Sequence, residues 1–211
     1  MKSADPIVFV VDDDASVREA LASLIASVAL NVECFASPGE FLHRSHSDTP
    51  SCVVLDVRMP GLSGLEVQQR LAHTERKIPV IFISAHGDIP MAVRAMKEGA
   101  VEFLPKPFRD EDLLTAVRLA LDHDAIAVTQ RAETLAIRTR FARLTARQRQ
   151  ILTLIVEGLL NKQIAAQLGL SENTVKVHRH RIMDRMSAGS VVELVRMMER
   201  LDPKRDPGPR I

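Results

Sequence analysis

The pattern of apolar and polar positions divides the chain into two parts, and the first part alternates two kinds of segment. Five short apolar runs have the length and composition of β-strands: Ile7–Val11, Val32–Phe35, Cys52–Leu55, Val80–Ile83 and Val101–Leu104. The first, third and fourth of these runs are apolar at every position. This is typical of parallel strands that are buried on both faces of a sheet.

Amphipathic segments with helical spacing separate the apolar runs. They are Ser16–Ala29, Pro38–Leu42, Gly64–Ala72, Pro90–Glu98 and Glu111–Leu121. Because strand and helix alternate five times, the pattern predicts an α/β fold with a five-stranded parallel sheet and helices on both faces. In such a sheet the working site lies at the carboxyl ends of the strands.

The second part of the chain shows no strand pattern and is predicted to be all-α. Residues 122–141 lack Gly and Pro, which favours a helical linker that continues the preceding helix. Thr145 and Gln148 form a capping-box pattern that opens a helix ending at Gly158. Three further helices are predicted: from a cap at Asn161 to Gly169, from a cap at Ser171 through Glu172–Met186, and over Val191–Leu201.

These patterns predict four regions. Residues 1–122 form the α/β domain, 123–142 the helical linker and 143–202 the all-α domain. In the all-α domain a short helix, the tight turn at Gly169 and the capped helix that follows match a helix-turn-helix. Residues 203–211 contain three prolines and a glycine and are predicted to be a flexible tail.

Composition narrows the class of protein. Apolar residues make up 46% of the 211 residues, and no run approaches the ~20 apolar residues of a membrane span, so a soluble cytoplasmic protein without a membrane partner is expected. The two cysteines, Cys34 and Cys52, are predicted to be buried core thiols in a reducing compartment. Residues 1–122 carry 12 Lys and Arg against 18 Asp and Glu, whereas residues 123–211 carry 16 against 9. The basic second part therefore suggests a polyanionic partner.

Polar residues that suit phosphoryl transfer follow the predicted strands. Asp12, Asp13 and Asp14 come after the first strand, Asp56 after the third, Ser84 after the fourth and Lys106 after the fifth. Converging carboxylates repel one another, and a hard divalent cation such as Mg²⁺ relieves that repulsion. A metal and a lysine can neutralise a phosphoryl group while Asp56 attacks it in line.

These residues resemble the receiver domain of response regulators over residues 5–122. The motifs VVDDD, LDVRMPGLSG, FISAHGD and FLPKPF stand in the family's order and spacing. The resemblance implies that Asp56 is the phosphoacceptor. It also implies a Mg²⁺ site made by Asp12, Asp13, Asp56 and the backbone carbonyl of Arg58.

The same resemblance assigns the remaining residues of the predicted pocket. Lys106 contacts the phosphoryl group, Ser84 is the switch hydroxyl, Phe103 is the rotating aromatic residue, and the Lys106–Pro107 bond is expected to be cis. The side chains of Arg58 and His86 border the site, and we hypothesise that they tune the lifetime of the phosphorylated form.

The predicted helix Glu172–Met186 has two contrasting faces. Val175, His178, Ile182 and Met186 form the core face, with His178 expected to be packed and hydrogen-bonded. The opposite face carries Asn173, Lys176, Val177, His180, Arg181 and Asp184. Such groups can contact base edges in the major groove, and Arg179 and Arg181 can add phosphate contacts.

Residues 141–201 resemble the LuxR/NarL-type DNA-binding domain. The motifs are LTARQRQIL and GLLNKQIAAQLGLSENTVKVHRHRIMDRM, with Thr174–His178 at the core of the recognition helix. The combination of both domains is most similar to the FixJ/StyR branch of the NarL family. The DNA-binding residues implied are Asn173, Thr174, Lys176, Val177, Arg179, His180 and Arg181.

The two resemblances together imply a non-enzymatic, DNA-binding transcriptional response regulator of a two-component system. A sensor histidine kinase, double-stranded promoter DNA and RNA polymerase are the partners implied. Phosphorylation is expected to cause homodimer formation, release of the DNA-binding domain, or both. Three alternatives remain open: a phosphatase that uses the acidic edge, a DNA-binding protein whose receiver is only an interaction module, and a nucleotide-binding protein. Arg58, which lies two residues after Asp56, disfavours a haloacid-dehalogenase-type phosphatase, since these enzymes have an aspartate there.

Overall fold

A computed structural model describes residues 5–45, 48–74, 76–85 and 88–201 of the chain. Within these ranges it contains five strands: β1 Ile7–Val11, β2 Asn31–Phe35, β3 Ser51–Asp56, β4 Val80–Ser84 and β5 Glu102–Pro105. Five helices lie between and after the strands: α1 Ala15–Ala26, α2 Pro38–His43, α3 Gly64–Ala72, α4 Ile89–Lys97 and α5 Asp110–Ala142. Four more helices follow within the described residues: α6 Ala146–Val156, α7 Asn161–Leu168, α8 Glu172–Met186 and α9 Val191–Leu201.

The five strands form one parallel sheet in the order β2-β1-β3-β4-β5, which confirms the predicted α/β fold. Alternate residues of the central strands enter two separate cores. On one face Val10, Val54 and Ile83 pack with residues of α1 and α5. On the other face Val11, Leu55 and Phe82 pack with residues of α2, α3 and α4. Both faces of β3 and β4 are therefore buried, as their continuous apolar runs indicated.

Three local predictions differ from the structure. The helix α1 ends at Ala26 instead of Ala29, because Ala29 adopts a left-handed backbone conformation with φ of 59°. Cys34 is exposed, since it lies on the edge strand β2, whereas Cys52 on β3 is buried as predicted. Burial raises the pKa of the Cys52 thiol. Asn161 is the first residue of α7 and not its cap, a position that Leu160 occupies.

The helix α5 runs without interruption through the predicted linker. The chain divides into two compact units, Met1–Thr129 and Gln130–Ile211, and the division falls within this helix. In the first unit Asp124 of α5 is buried and accepts hydrogen bonds from the Ser51 backbone N–H at 2.8 Å and from Arg76 at 2.9 Å. A residue of the predicted linker is thus part of the core of the first unit.

The second unit is all-α and has its own apolar core. Buried residues from α6, α7, α8 and α9, among them Ile151, Ile164, Ile182 and Leu194, form this core. The capping box at Thr145, the left-handed Gly169 and the cap at Ser171 occur where they were predicted. Residues 203–211, the predicted tail, lie outside the described residues. Across the described parts of the chain, no helix has both the length and the apolar character needed to cross a membrane.

Candidate functional site

The register of the sheet brings the predicted acidic residues to one edge. Asp56 ends β3 opposite Ile83, and Ser84 ends β4 opposite Pro105, the residue that precedes Lys106. Asp12 follows Val11, which pairs with Leu55 in the neighbouring strand. Because parallel strands end at the same side of a sheet, residues far apart in sequence meet here.

Lys106 joins the two buried carboxylates of this edge. Its Nζ donates hydrogen bonds to Oδ2 of Asp12 and Oδ1 of Asp56, each at 2.9 Å. Burial by itself lowers the pKa of Lys106, but the hydrogen bonds and attraction from Asp56 and Asp12 outweigh this effect and raise the pKa above its usual value. The lysine is therefore fully charged at neutral pH.

The second oxygen of each buried carboxylate is held by a backbone N–H. Arg58 N donates to Asp56 Oδ2 at 2.7 Å, and Asp14 N donates to Asp12 Oδ1 at 2.9 Å. Hydrogen bonds of this kind stabilise ionised carboxylates and fix their orientation. Asp12 and Asp56 are thus anchored at both of their oxygens.

The other two aspartates of the first loop have different surroundings. Asp13 is exposed beside the pocket. Asp14 is also exposed and caps α1 by accepting hydrogen bonds from the N–H groups of Ser16 and Val17. The Ser16 N–H in particular holds the pKa of Asp14 below its usual value. The run of three acidic residues therefore divides into one buried pocket residue, Asp12, one exposed residue, Asp13, and one helix cap, Asp14.

The predicted switch residues lie next to this edge. Ser84 is buried at the end of β4. Phe103 on β5 is half-buried, and its ring centroid lies 6.1 Å from that of Phe82. The Lys106–Pro107 peptide bond is cis, as the resemblance implied. The Arg58 side chain is exposed, and His86, the other residue hypothesised to border the site, lies outside the described residues.

Sequence reasoning missed one residue on which the pocket depends. Gly64 begins α3, and its N–H donates to the carbonyl oxygen of Val57 at 2.9 Å. A Cβ at this position would overlap the backbone oxygen of Asp56 and lie 3.0 Å from Phe82 Cε1 and 3.1 Å from Val57 Cα. Only glycine lets α3 approach the end of β3 this closely. The available signal in the sequence was a glycine directly after the Ser63 cap. The start of a helix does not by itself favour glycine at that position, so its presence indicates a close approach of backbone.

The donor set of the pocket fits a hard divalent cation. Among the described residues, no three side chains of His, Cys, Asp and Glu come together to hold a metal by themselves. Two anchored carboxylates nevertheless converge on one ammonium group, and Asp13 and the Arg58 carbonyl lie in the adjoining loops. Because Mg²⁺ keeps several waters, one or two carboxylates and a carbonyl are an adequate set of protein ligands.

In the second unit, α8 exposes most of the residues predicted to contact DNA. Asn173, Lys176, Val177, His180 and Arg181 are exposed on this helix, whereas Val175, Ile182 and Met186 are buried. The remaining two candidates are half-buried and already have partners. Thr174 shares a hydrogen bond with the Ser171 hydroxyl at 2.7 Å, and Arg179 donates to Oδ1 of Asn161 at 3.2 Å.

Other side chains fix the orientation of α8. Arg185 donates to Gln148 Oε1 at 2.8 Å, and the same oxygen accepts a hydrogen bond from the Thr145 N–H. This ties the end of α8 to the start of α6. His178 is half-buried as predicted, but its buried Nδ1 has no hydrogen-bond partner among the described residues, so the expected hydrogen bond is not found at that atom.

Comparison with known proteins places both units in recognised families. The response regulator receiver domain matches residues 8–118, and the luxR family of bacterial regulatory proteins matches residues 142–198. The chain is 47% identical over 201 residues to the response regulator protein TmoT of Ectopseudomonas mendocina, covering 95% of this chain and 91% of TmoT.

Two further similarities cover both units. The chain is 45% identical over 190 residues to the transcriptional regulatory protein FixJ of Azorhizobium caulinodans, covering 90% of each chain. It is also similar to the solved structure of the response regulator StyR, with 48% identity and a TM-score of 0.82 over 93% of this chain and 99% of that chain.

Proposed function

We propose the function of this chain from its family: it belongs to the response regulators that join a receiver domain to a LuxR-type DNA-binding domain. As a member of this family, of the FixJ/StyR-like branch, it is a transcriptional regulator. The finer proposal is that it acts in the cytoplasm as the output of a sensor histidine kinase. The kinase transfers a phosphoryl group to Asp56, and phosphorylation changes how the second domain engages promoter DNA. For the domains we propose the division given above, with residues 1–122 as receiver and 143–202 as DNA-binding domain.

One observation carries this proposal: Lys106 bridges Asp12 and Asp56 at the carboxyl edge of the sheet. In the transfer the bond from phosphorus to the kinase histidine breaks as an oxygen of Asp56 bonds to phosphorus. The charged Lys106, already 2.9 Å from Asp56, attracts the oxygens of the incoming group. Asp56 itself is oriented by the Arg58 N–H, so little rearrangement precedes the reaction.

A magnesium ion would be held by Asp12, Asp13, Asp56 and the backbone carbonyl of Arg58. When bound, it supplies positive charge that offsets the charge of the carboxylates and of the phosphoryl oxygens. The protein's own part is to keep Asp12 and Asp56 buried and both hydrogen-bonded to Lys106.

The proposed switch uses Ser84 and Phe103. Phosphorylation places new acceptor oxygens on Asp56, and the neighbouring Ser84 hydroxyl donates to one of them. Phe103 then turns from its half-buried position toward the sheet and biases a two-state receiver. Homodimer formation is expected at the surface of α4 and α5. The exposed stripe of Ile89, Val93 and Met96 on α4 supports this part of the proposal.

The first experiment measures phosphorylation and DNA binding together. Full-length protein is incubated with acetyl phosphate and Mg²⁺, phosphate incorporation is measured, and genomic DNA sites are footprinted. We expect incorporation into wild type, none into Asp56→Asn, and none when EDTA replaces Mg²⁺. If Asp56→Asn binds the same sites as tightly as phosphorylated wild type, the proposed coupling between the two domains is wrong.

A second experiment tests the proposed DNA-binding residues, with α8 as recognition helix. Lys176 is exposed on α8. Lys176→Ala should weaken the free energy of DNA binding by about 1–3 kcal/mol for sites that carry the base pairs it contacts. Arg181→Ala should weaken binding to all sequences and reduce the slope of log K against log salt by about 0.9. Arg200→Ala on α9, which removes a cation paired with Glu133, is the control and should change neither quantity. Equal effects of all three variants would contradict the proposed recognition surface.

With DNA on paired half-sites, the proposed unit of action is a dimer, and RNA polymerase is the partner expected at the promoter. The relatives described above are regulators, which supports a non-enzymatic role. Release of phosphate from added phosphoesters by the purified protein would favour the phosphatase alternative instead.

A further inference from the structure

Arg18 contacts the acidic loop through its backbone. Its guanidinium Nη1 donates a hydrogen bond to the carbonyl oxygen of Asp12 at 2.7 Å. That carbonyl belongs to the peptide unit that joins Asp12 to Asp13, the two carboxylates proposed above to take the cation. Arg18 is half-buried, so this hydrogen bond is partly shielded from water.

The remaining polar atoms of Asp12 have other partners. Its carboxylate accepts from the Asp14 N–H and from Lys106, both at 2.9 Å, and its own N–H donates to the Phe35 carbonyl at 3.4 Å. Those contacts fix the carboxylate and the strand end. The plane of the peptide leading to Asp13 is fixed by the hydrogen bond from Arg18. Because Asp13 is exposed, neighbouring side chains do not pack around it, and the direction of its carboxylate depends on the plane of that peptide.

The position of Arg18 follows from the start of α1. Asp14 caps the helix, and the Arg18 N–H donates to the Asp14 carbonyl at 3.1 Å, so Arg18 stands one turn inside α1. From there its side chain reaches back over the loop. The cap and the guanidinium together attach residues 12–14 to the first turn of the helix. The planar guanidinium is suited to this, because its donors have a fixed geometry that a lysine ammonium lacks.

We propose that Arg18 is a positioning residue that orients Asp12 and Asp13 for a divalent cation; this rests on the function proposed above. Groups that orient metal ligands commonly change metal affinity by 10- to 100-fold when they are removed. A competing effect has the opposite sign. Loss of a nearby positive charge would by itself tighten cation binding, although salt at about 0.15 M screens that repulsion over roughly 8 Å. The direction of the change therefore separates positioning from simple charge repulsion.

The test measures metal affinity directly, in the full-length unphosphorylated protein at 0.15 M salt. Mn²⁺ serves as the probe, and free Mn²⁺ is quantified by its electron paramagnetic resonance signal. The variants are Arg18→Ala, Arg18→Lys and, as the matched control, Arg70→Ala, which removes an exposed arginine from α3. The Mg²⁺ concentration that gives half the maximal rate of phosphorylation by acetyl phosphate is measured beside it.

We expect Arg18→Ala to weaken Mn²⁺ binding about tenfold and to raise the half-saturating Mg²⁺ by a similar factor. Arg18→Lys should recover part of the loss, and Arg70→Ala should bind as wild type does. If Arg18→Ala does not fold, as judged by far-UV circular dichroism, Arg18→Gln replaces it under the same criteria.

Two results overturn the inference. Binding of Mn²⁺ to Arg18→Ala within twofold of wild type, or tighter than wild type, removes the positioning role while leaving the proposed function intact. Failure of the wild-type protein to bind Mn²⁺ at all removes the magnesium site from the proposed function, and the role of Arg18 with it.

Discussion

The close approach of α3 to β3 at Gly64 makes a sharp prediction for Gly64→Ala. The added methyl group would overlap the Asp56 carbonyl oxygen and press on Phe82 and Val57 at 3.0 and 3.1 Å. Two of these three contacts are with backbone, which cannot rotate away as a side chain can. The start of α3 must therefore move away from the strand end that carries Asp56, the proposed phosphoacceptor.

The cost can be worked out from these contacts. Overpacking of a tight site costs about 1–3 kcal/mol. Loss of the hydrogen bond from Gly64 N–H to the Val57 carbonyl adds about 0.5–1.5 kcal/mol. The better helix propensity of alanine offsets at most about 1 kcal/mol. We therefore expect the free energy of unfolding of the first unit to fall by about 0.5–4.5 kcal/mol.

The assay is urea unfolding of the full chain followed by far-UV circular dichroism, with hydrogen exchange to assign the transition to the first unit. Gly39→Ala in α2 is the matched control, because a Cβ there meets its nearest atom, Ser37 Oγ, at an ordinary 3.9 Å. The control should be neutral or stabilising by about 0.4–1 kcal/mol. If Gly64→Ala is as stable as Gly39→Ala and is phosphorylated by acetyl phosphate at the wild-type rate, the argument from close approach is refuted.

Two further predictions concern ion pairs of the first unit. The raised pKa of Lys106 means that its contribution to stability is present below the unfolded pKa of about 10.4 and is lost as pH rises through the folded value. The stability gap between wild type and Lys106→Met, measured by urea unfolding from pH 8 to 11.5, should narrow above that pH, and a constant gap would contradict this. Asp124→Ala should cost up to about 3–5 kcal/mol, because it removes the buried carboxylate that pairs with the largely buried Arg76, whose other carboxylate partner, Asp48, is 3.5 Å away and exposed. The half-exposed pair of Glu33 and Arg44 provides the control: Glu33→Ala should cost no more than about 1 kcal/mol, and equal costs would refute the prediction.

Local patterns were sufficient for the elements and for the ends of the strands. The apolar runs of β1, β3 and β4 are continuous because both of their faces are buried, and such runs are visible in sequence. The caps at Thr145 and Ser171 were equally visible, since a cap and its partner lie three residues apart. The parallel sheet then followed from alternation. The order of the strands in the sheet, which the alternation does not give, determines that Asp56 and Lys106 lie close together although they are 50 residues apart in sequence.

Local patterns failed where a neighbour in space decides the outcome. The burial of Cys34 depends on whether β2 is a central or an edge strand, and one strand's sequence does not state its neighbours. The same reasoning explains Asn161, a good capping residue that lies one position inside α7 and accepts from Arg179 on another helix. In both cases the residue type was compatible with two positions, and the packing chose one.

The sequence by itself determined which residues could do the chemistry, because carboxylates, a hydroxyl and a lysine at strand ends are chemically distinctive. Tertiary structure alone decided how each of them is held. Asp14 caps a helix, and Gly64 is the point of contact between α3 and the strand end. Asp124 pairs with Arg76, which is far from it in sequence. The physical reason is range: propensity and capping act over a few residues of chain, whereas close packing and buried ion pairs depend on distances that only the folded chain defines.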